Sequence, residues 1–207
     1  MENNFIINIG RQLGSGGRQI GKILSERLNV PFYDKELITL ASKQSGLAQE
    51  AFEKVDEKSR FTLTGGLLGI KSPIIDDGYS NNYLWNEVLF KIQSDVIQEL
   101  AQKQSCIFVG RCADYILRDH PHALNVFICA DLSDRTRQIM EYYELSEKKA
   151  LELIEKTDKR RAGYYNYYSN KEWGVAESYH LCLNSSALGI TESANMIEDF
   201  LKRKFKL

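Results

Sequence analysis

A chain of 207 residues with 43% apolar and 27% charged residues has an ordinary globular composition and can bury a substantial core within one domain. Its net charge of −1 excludes a general attraction to nucleic acid or to an anionic membrane. Any anion site must therefore come from local clustering.

In chain order, "FIINI" (5–9) reads as a buried strand, and 18–29 as a helix with Ile20, Ile23, Leu24 and Leu28 on one face. "VPFYD" (30–34) is a short second strand, since Pro31 can stand at a strand start. Asp34 is placed to cap a helix over 35–46, and a further helix follows over 48–60. The interval 61–82 is aperiodic and reads as a loop or excursion. A helix over 85–103 presents Val88, Leu89, Ile92, Val96, Ile97 and Leu100 as its core face. "CIFVG" (106–110) is a third strand with a short helix behind it. "ALNVFICA" (123–130) is a fourth, followed by the helix "LSDRTRQIMEYY". A long helix over 146–168 opens with Ser146 as N-cap. "SYHLCLNSS" (178–186) is a fifth strand, and "TESANMIEDFLKRKF" closes the chain as an amphipathic helix. Strands rich in Val, Ile and Phe, joined by helical crossovers, predict an α/β fold with a five-stranded parallel sheet flanked by helices.

The four cysteines, Cys106, Cys112, Cys129 and Cys182, have no paired CxxC spacing, so neither a zinc knuckle nor a redox pair is indicated. Read as four buried thiols in a sequence without a signal-peptide pattern, they predict the cytoplasm. No apolar run approaches the ~20 residues that a membrane span needs. His120, His122 and His180 lack metal spacing with any carboxylate and read as surface or strand residues.

The chemistry concentrates at "GRQLGSGGR", where the first strand hands over to its helix. Unpaired N–H groups and the helix dipole favour an anion there, and Gly14, Gly16 and Gly17 let the backbone approach one. Aligned on Gly16, the nucleotide loop G-x-x-x-x-G-K-[ST] meets Arg11, Gly16, Gly17 and Arg18, so one of its four defining positions survives. A plain strand–helix turn is the competing reading. So is a dinucleotide fingerprint: Gly14 and Gly16 fit its first two places and Asp34 its acid, but Gln19 stands at the third glycine. That second alternative is an NAD-dependent Rossmann enzyme.

Two further groups supply charge. Arg111 follows the third strand and Gly110, and should emerge at the same carboxyl edge of the sheet with a fork suited to phosphate or carboxylate. Arg135 and Arg137 open one helix, while Asp158, Arg160 and Arg161 lie midway along the next. Asp158 and Arg161 share a helix face, as do Arg160 and Tyr164. Such arginines can close over polyphosphate, or can be no more than ion pairs on two solvated helices. Tyr164, Tyr165, Tyr167 and Tyr168 can stack on a base, or pack their helix on the body with hydroxyls in water.

Taken in order, "GRQLGSGGRQI", "PFYDKELI", "FVGRCADYIL", "DRTRQIM", "TDKRRAGYY" and "CLNSSALGI" resemble the cytidylate kinase-like proteins, nucleoside monophosphate kinase relatives within the P-loop kinase superfamily. The resemblance implies one domain over 1–207, with a helical acceptor-binding lobe as an excursion at about 35–103 and an arginine-rich lid at about 134–168. It implies transfer of the ATP γ-phosphate to a nucleoside monophosphate, CMP or dCMP first, with ATP and Mg²⁺ required. Its partners would be small nucleotides, with no nucleic acid and no membrane; oligomeric state is left open. Gly14, Ser15, Gly16, Gly17, Arg18 and Gln19 would cradle ATP phosphates. Gly17 occupies the lysine position and Gln19 that of the metal-binding hydroxyl, so Arg18 would replace the lysine, and Ser15 or water the hydroxyl around Mg²⁺. Asp34, Arg111, Asp158 and Arg161 would orient the acceptor, while Arg135, Arg137 and Arg160 would neutralise the transferring group. The missing lysine keeps open a nucleotide-binding sensor that does not transfer phosphate.

Overall fold

The computed structural model describes residues 4–35 and 83–206. The helices expected over 35–46 and 48–60, and the loop over 61–82, therefore lie outside the described residues apart from Lys35. The first layer of the fold is β1 (Ile6–Arg11), α1 (Gly17–Leu28), β2 (Phe32–Tyr33), α2 (Tyr83–Lys103), β3 (Cys106–Val109) and α3 (Ala113–Ile116). After these come β4 (Ala123–Cys129), α4 (Leu132–Tyr143), α5 (Glu147–Ser169), a 3₁₀ turn (Ala176–Ser178), β5 (Leu181–Asn184) and α6 (Ser185–Phe205). The sheet has five strands in the order β2-β3-β1-β4-β5. Every pairing is parallel.

Strand alternation sorts the core into two faces. Ile7, Ile9, Ile107, Val109, Leu124, Val126 and Ile128 face α1 and α6, where Ile20, Leu24, Ile197 and Leu201 meet them. Ile6, Cys106, Phe108 and Ala123 face the other way, onto Ile97 and Ala101 of α2 and Ala113 and Ile116 of α3. Because both faces are covered, the strands read as continuous apolar runs. Each fully buried Ile or Leu contributes about 1.5–3 kcal/mol. A third cluster joins α4 to α5 through Ile139, Ala150 and Ile154, and Leu13 of the first loop packs against it. Among the described residues no helix is long and apolar enough to cross a membrane.

Among the described residues the elements match the sequence reading except at the far edge. β5 is four residues long, and Ser185 and Ser186 start α6 instead of ending the strand. The Asn184 side chain accepts from the Ser186 N–H and so caps the helix, which ends β5. α6 then runs as two helical pieces about Gly189, whose φ of 75° breaks the helical path. β5 is also the sheet's edge, so Cys182 is exposed and Cys129 half-buried; only Cys106 and Cys112 are buried thiols. Burial pushes the Cys106 thiol up to about 12. Ser146 does stand at the N-cap of α5, but makes no side-chain cap hydrogen bond.

Candidate active site

The loop from β1 to α1 turns on Gly14 (φ 78°) and Gly16 (φ 74°), and Gly16 is the N-cap of α1. The first bond along α1 runs from the Ile20 N–H to the Gly16 carbonyl, so the amides of Gly17, Arg18 and Gln19 precede the intrahelical ladder. Gly14 is required twice over. Its φ is left-handed, and a Cβ there would lie 2.9 Å from the Arg135 carbonyl oxygen. Ser15 is buried, and its hydroxyl donates to the Gln12 carbonyl at 2.9 Å. The Ser15 carbonyl in turn accepts from the Ser185 hydroxyl at 2.8 Å, which pins α6 to the loop.

Arg18 points to β2. Its Nε and Nη2 both donate to Asp34 Oδ2, at 2.8 and 2.6 Å. The arginine is half exposed while the carboxylate is 3% exposed, so a surface cation neutralises a buried anion. The two residues expected on the donor and acceptor sides of the site are thus joined.

Asp158, Arg135 and Arg161 converge on the same loop from α4 and α5. Asp158 Oδ1 accepts from the Leu13 N–H at 2.8 Å, and Oδ2 accepts from Arg135 Nη1 at 2.6 Å. Arg161 lies 3.9 Å from the same carboxylate and donates to the Arg11 carbonyl at 3.0 Å. Burial raises the Asp158 pKa; the Leu13 amide, Arg135, Arg161 and Arg11 pull it back. Burial also lowers the Arg161 pKa, with Asp158 opposing the shift and Arg160 adding to it. Arg160 is therefore an electrostatic neighbour of Arg161. Arg137 is not drawn into this group: it is exposed and pairs with Asp134 within α4. Gln19 is exposed at the first turn of α1.

Arg111 leaves the end of β3 in a strained turn. Gly110, Arg111 and Cys112 follow one another at φ 80°, 62° and 56°. A non-glycine residue in this region costs about 1–3 kcal/mol and persists only where its surroundings enforce it. Gly110 has a second constraint, because a Cβ on it would overlap the Arg11 guanidinium. The Arg111 guanidinium lies over the Tyr164 ring at 5.4 Å. Its Nε is buried with no hydrogen-bond partner among the described residues, as is that of Arg135. A buried unpaired donor of this kind is a place for an anionic acceptor atom.

Sequence reasoning overlooked three participants. Leu13, the one large apolar residue in the glycine loop, supplies both an amide to Asp158 and a side chain to the α4–α5 core. Asp114, an acid inside an apolar run, accepts from the Tyr165 hydroxyl at 2.7 Å; that hydroxyl is buried, not wet. Ser185, read as strand, is the loop's anchor. Of the other tyrosines, Tyr168 stacks face to face on Phe90 at 3.8 Å, and Tyr167 donates to Glu87.

The glycine loop at the N-terminus of α1 is thus fronted by the buried Arg135 and the partly buried Arg161, both from the α4–α5 connection between β4 and β5. A family model described as the cytidylate kinase-like family matches residues 6–187. The chain belongs to that family. A crystal structure of an uncharacterized protein from Eubacterium ventriosum is similar to it at 28% identity and a TM-score of 0.74, covering 96% of this chain and 99% of the other. Shikimate kinase from Bacteroides thetaiotaomicron shares the fold at 14% identity and a TM-score of 0.51, over 96% and 98% of the two chains. Shikimate kinase from Acinetobacter baumannii, in complex with shikimate, is similar at 12% identity and a TM-score of 0.50, over 98% and 96%. No curated protein matches the chain. The family and these neighbours make it a member of a kinase-like group with a P-loop kinase fold, its five-stranded parallel sheet flanked by helices.

Proposed function

We propose that the protein transfers the γ-phosphate of ATP to a small acceptor, a nucleoside monophosphate with CMP or dCMP first. The observation that carries the reading is the convergence of Arg135, Asp158 and Arg161 on the loop at Arg11–Leu13. In this reading Gly14, Gly16, Gly17, Arg18 and Gln19 receive ATP phosphates with backbone N–H groups at the start of α1. Arg135, Arg160 and Arg161 stabilise charge on the transferring group, and Asp158 holds Arg135 and Arg161 in place. Arg111 and Asp34 meet the acceptor. Catalysis is then positioning and charge stabilisation, with no covalent enzyme intermediate.

Mg²⁺ accompanies ATP in this chemistry and screens its phosphates. Ser15 does not fit as a metal ligand in this loop conformation, because its side chain is turned inward to donate to the Gln12 carbonyl and, at 1% exposed, presents no open oxygen to an ion. Nor do the described residues hold a cluster of His, Cys, Asp or Glu that could bind a metal ion. No step here is routed through a protein-bound metal.

A second reading, a nucleotide sensor without transfer, is favoured by one observation. Gly17 replaces the loop lysine, and the neighbouring Arg18 is engaged with Asp34. An ADP-release assay across nucleoside monophosphates, with shikimate as a non-nucleotide arm, separates the readings. Turnover with CMP or dCMP supports the proposal. ATP binding without ADP release from any acceptor supports the sensor.

A further inference from the structure

Asp114 and Tyr165 have no part in the phosphate-handling cluster, yet both are buried at its border. Asp114 is 7% exposed and Tyr165 5% exposed, and they are bonded across 51 residues of sequence. Asp114 belongs to α3, two residues beyond the strained turn of Gly110, Arg111 and Cys112. Tyr165 belongs to α5, the helix whose preceding turns carry Asp158 and Arg161. Ile154, Asp158, Arg161 and Tyr165 are spaced four, three and four apart, so they line one stripe of that helix. The stripe touches the first loop through Asp158 and Arg161, and through Tyr165 it touches α3 at Asp114, two residues past the β3 turn. The next residue back, Tyr164, lies under the Arg111 guanidinium. Two adjacent tyrosines of α5 therefore hold the turn that bears Arg111, one through the arginine itself and one through Asp114. Tyr165 is braced in its turn by stacking on Tyr179.

A turn with consecutive left-handed residues does not hold itself. Something outside it must offset the backbone cost, and the Asp114–Tyr165 bond is the buried polar contact that ties its far side to another element. We propose that Asp114 and Tyr165 are a positioning pair that fixes Arg111 in its strained conformation and so sets its readiness for an anionic acceptor group. α5 then acts as a strut spanning both ligand loops, not as a flap free along its whole length. The acceptor clause rests on the function proposed above; the effect on Arg111 itself does not.

The test reads Arg111 directly, through the ¹H–¹⁵N signals of arginine Nε–H groups, with Arg111→Lys identifying the peak. The buried Nε–H should give a resolved, exchange-protected signal in the wild-type chain. Tyr165→Phe keeps the ring on Tyr179 and Asp114→Leu keeps the side-chain shape; each should shift or broaden that signal. Asp114→Asn, whose amide oxygen still accepts from Tyr165, should leave it near its wild-type position. With an acceptor that turns over, Tyr165→Phe should raise the acceptor KM about tenfold while the KM for ATP stays put. A wild-type Arg111 signal already lost to exchange overturns the pair. So does a signal unchanged in Tyr165→Phe and Asp114→Leu, or one moved as far by Asp114→Asn as by Asp114→Leu. If the wild-type chain phosphorylates no acceptor, the kinase reading fails while the Arg111 signal still decides this one.

Discussion

The Asp158 carboxylate accepts the Leu13 backbone N–H at 2.8 Å, joining a helix in the second half of the chain to a loop 145 residues earlier. One carboxylate thus orders the first loop, neutralises Arg135 and stands beside Arg161. Removing it strands a buried guanidinium and an amide together. Asp158→Ala is expected to lower stability by about 3 kcal/mol, read from urea unfolding. Calorimetry should find ATP binding weakened as well. A variant as stable as the wild type would show that the carboxylate does not organise the loop.

Arg18 has two duties in the proposed reading, and they can be separated. Arg18→Ala leaves the Asp34 carboxylate buried without this cation and removes positive charge beside the loop. ATP affinity should fall by about tenfold, and Arg18→Lys should recover part of it, keeping the charge without the fork. Unchanged ATP affinity in Arg18→Ala would assign the residue to Asp34 alone.

Gly14 faces the Arg135 backbone, which cannot move aside as a flexible side chain could. Gly14→Ala adds a Cβ in a left-handed conformation and drives it into that backbone. The expected loss is about 2 kcal/mol, measured by thermal or urea unfolding, together with weaker ATP binding. A neutral result would mean that the α4 start yields easily.

His180 accepts the Asn125 N–H on its Nδ1 at 3.0 Å, which requires the neutral ring. Burial lowers its pKa, helped by Lys204 and Lys171. The unfolded chain therefore binds the proton more readily than the folded one. Its contribution to stability is present above the ordinary histidine pKa and is lost as pH falls through the folded value. Urea midpoints should drop as pH falls below about 6.5, and His180→Asn should flatten the drop, since its amide can accept without titrating. His120 is shifted the same way by burial and by His122, so part of the slope will remain. An equal slope in His180→Asn would refute the assignment to this residue.

What was legible in the sequence was whatever depends on local pattern. The apolar runs at 106–109 and 123–129 announced strands covered on both sides, and the repeat of apolar residues along 85–103 announced a helix. Glycines at 14, 16 and 17 marked the turn at the head of α1. Arg135, Asp158 and Arg161 could be nominated because charged residues at helical spacing in two successive helices form a visible cluster. Arg137 looked the same in the sequence but pairs with Asp134 on the solvent side. Helical spacing does not say which way α4 is rolled against its neighbours.

The sequence by itself determined the class of fold, the chain order of the described strands and helices, and the glycine turn at the head of α1, because periodicity and glycine placement act over a few residues. Tertiary structure alone decided the partners. It took the topology to bring Leu13 to Asp158, Arg18 to Asp34 and Asp114 to Tyr165, since each contact closes a loop between elements that no local pattern relates. Burial then made those contacts consequential: away from water, each carboxylate needs the donor that the fold has placed beside it.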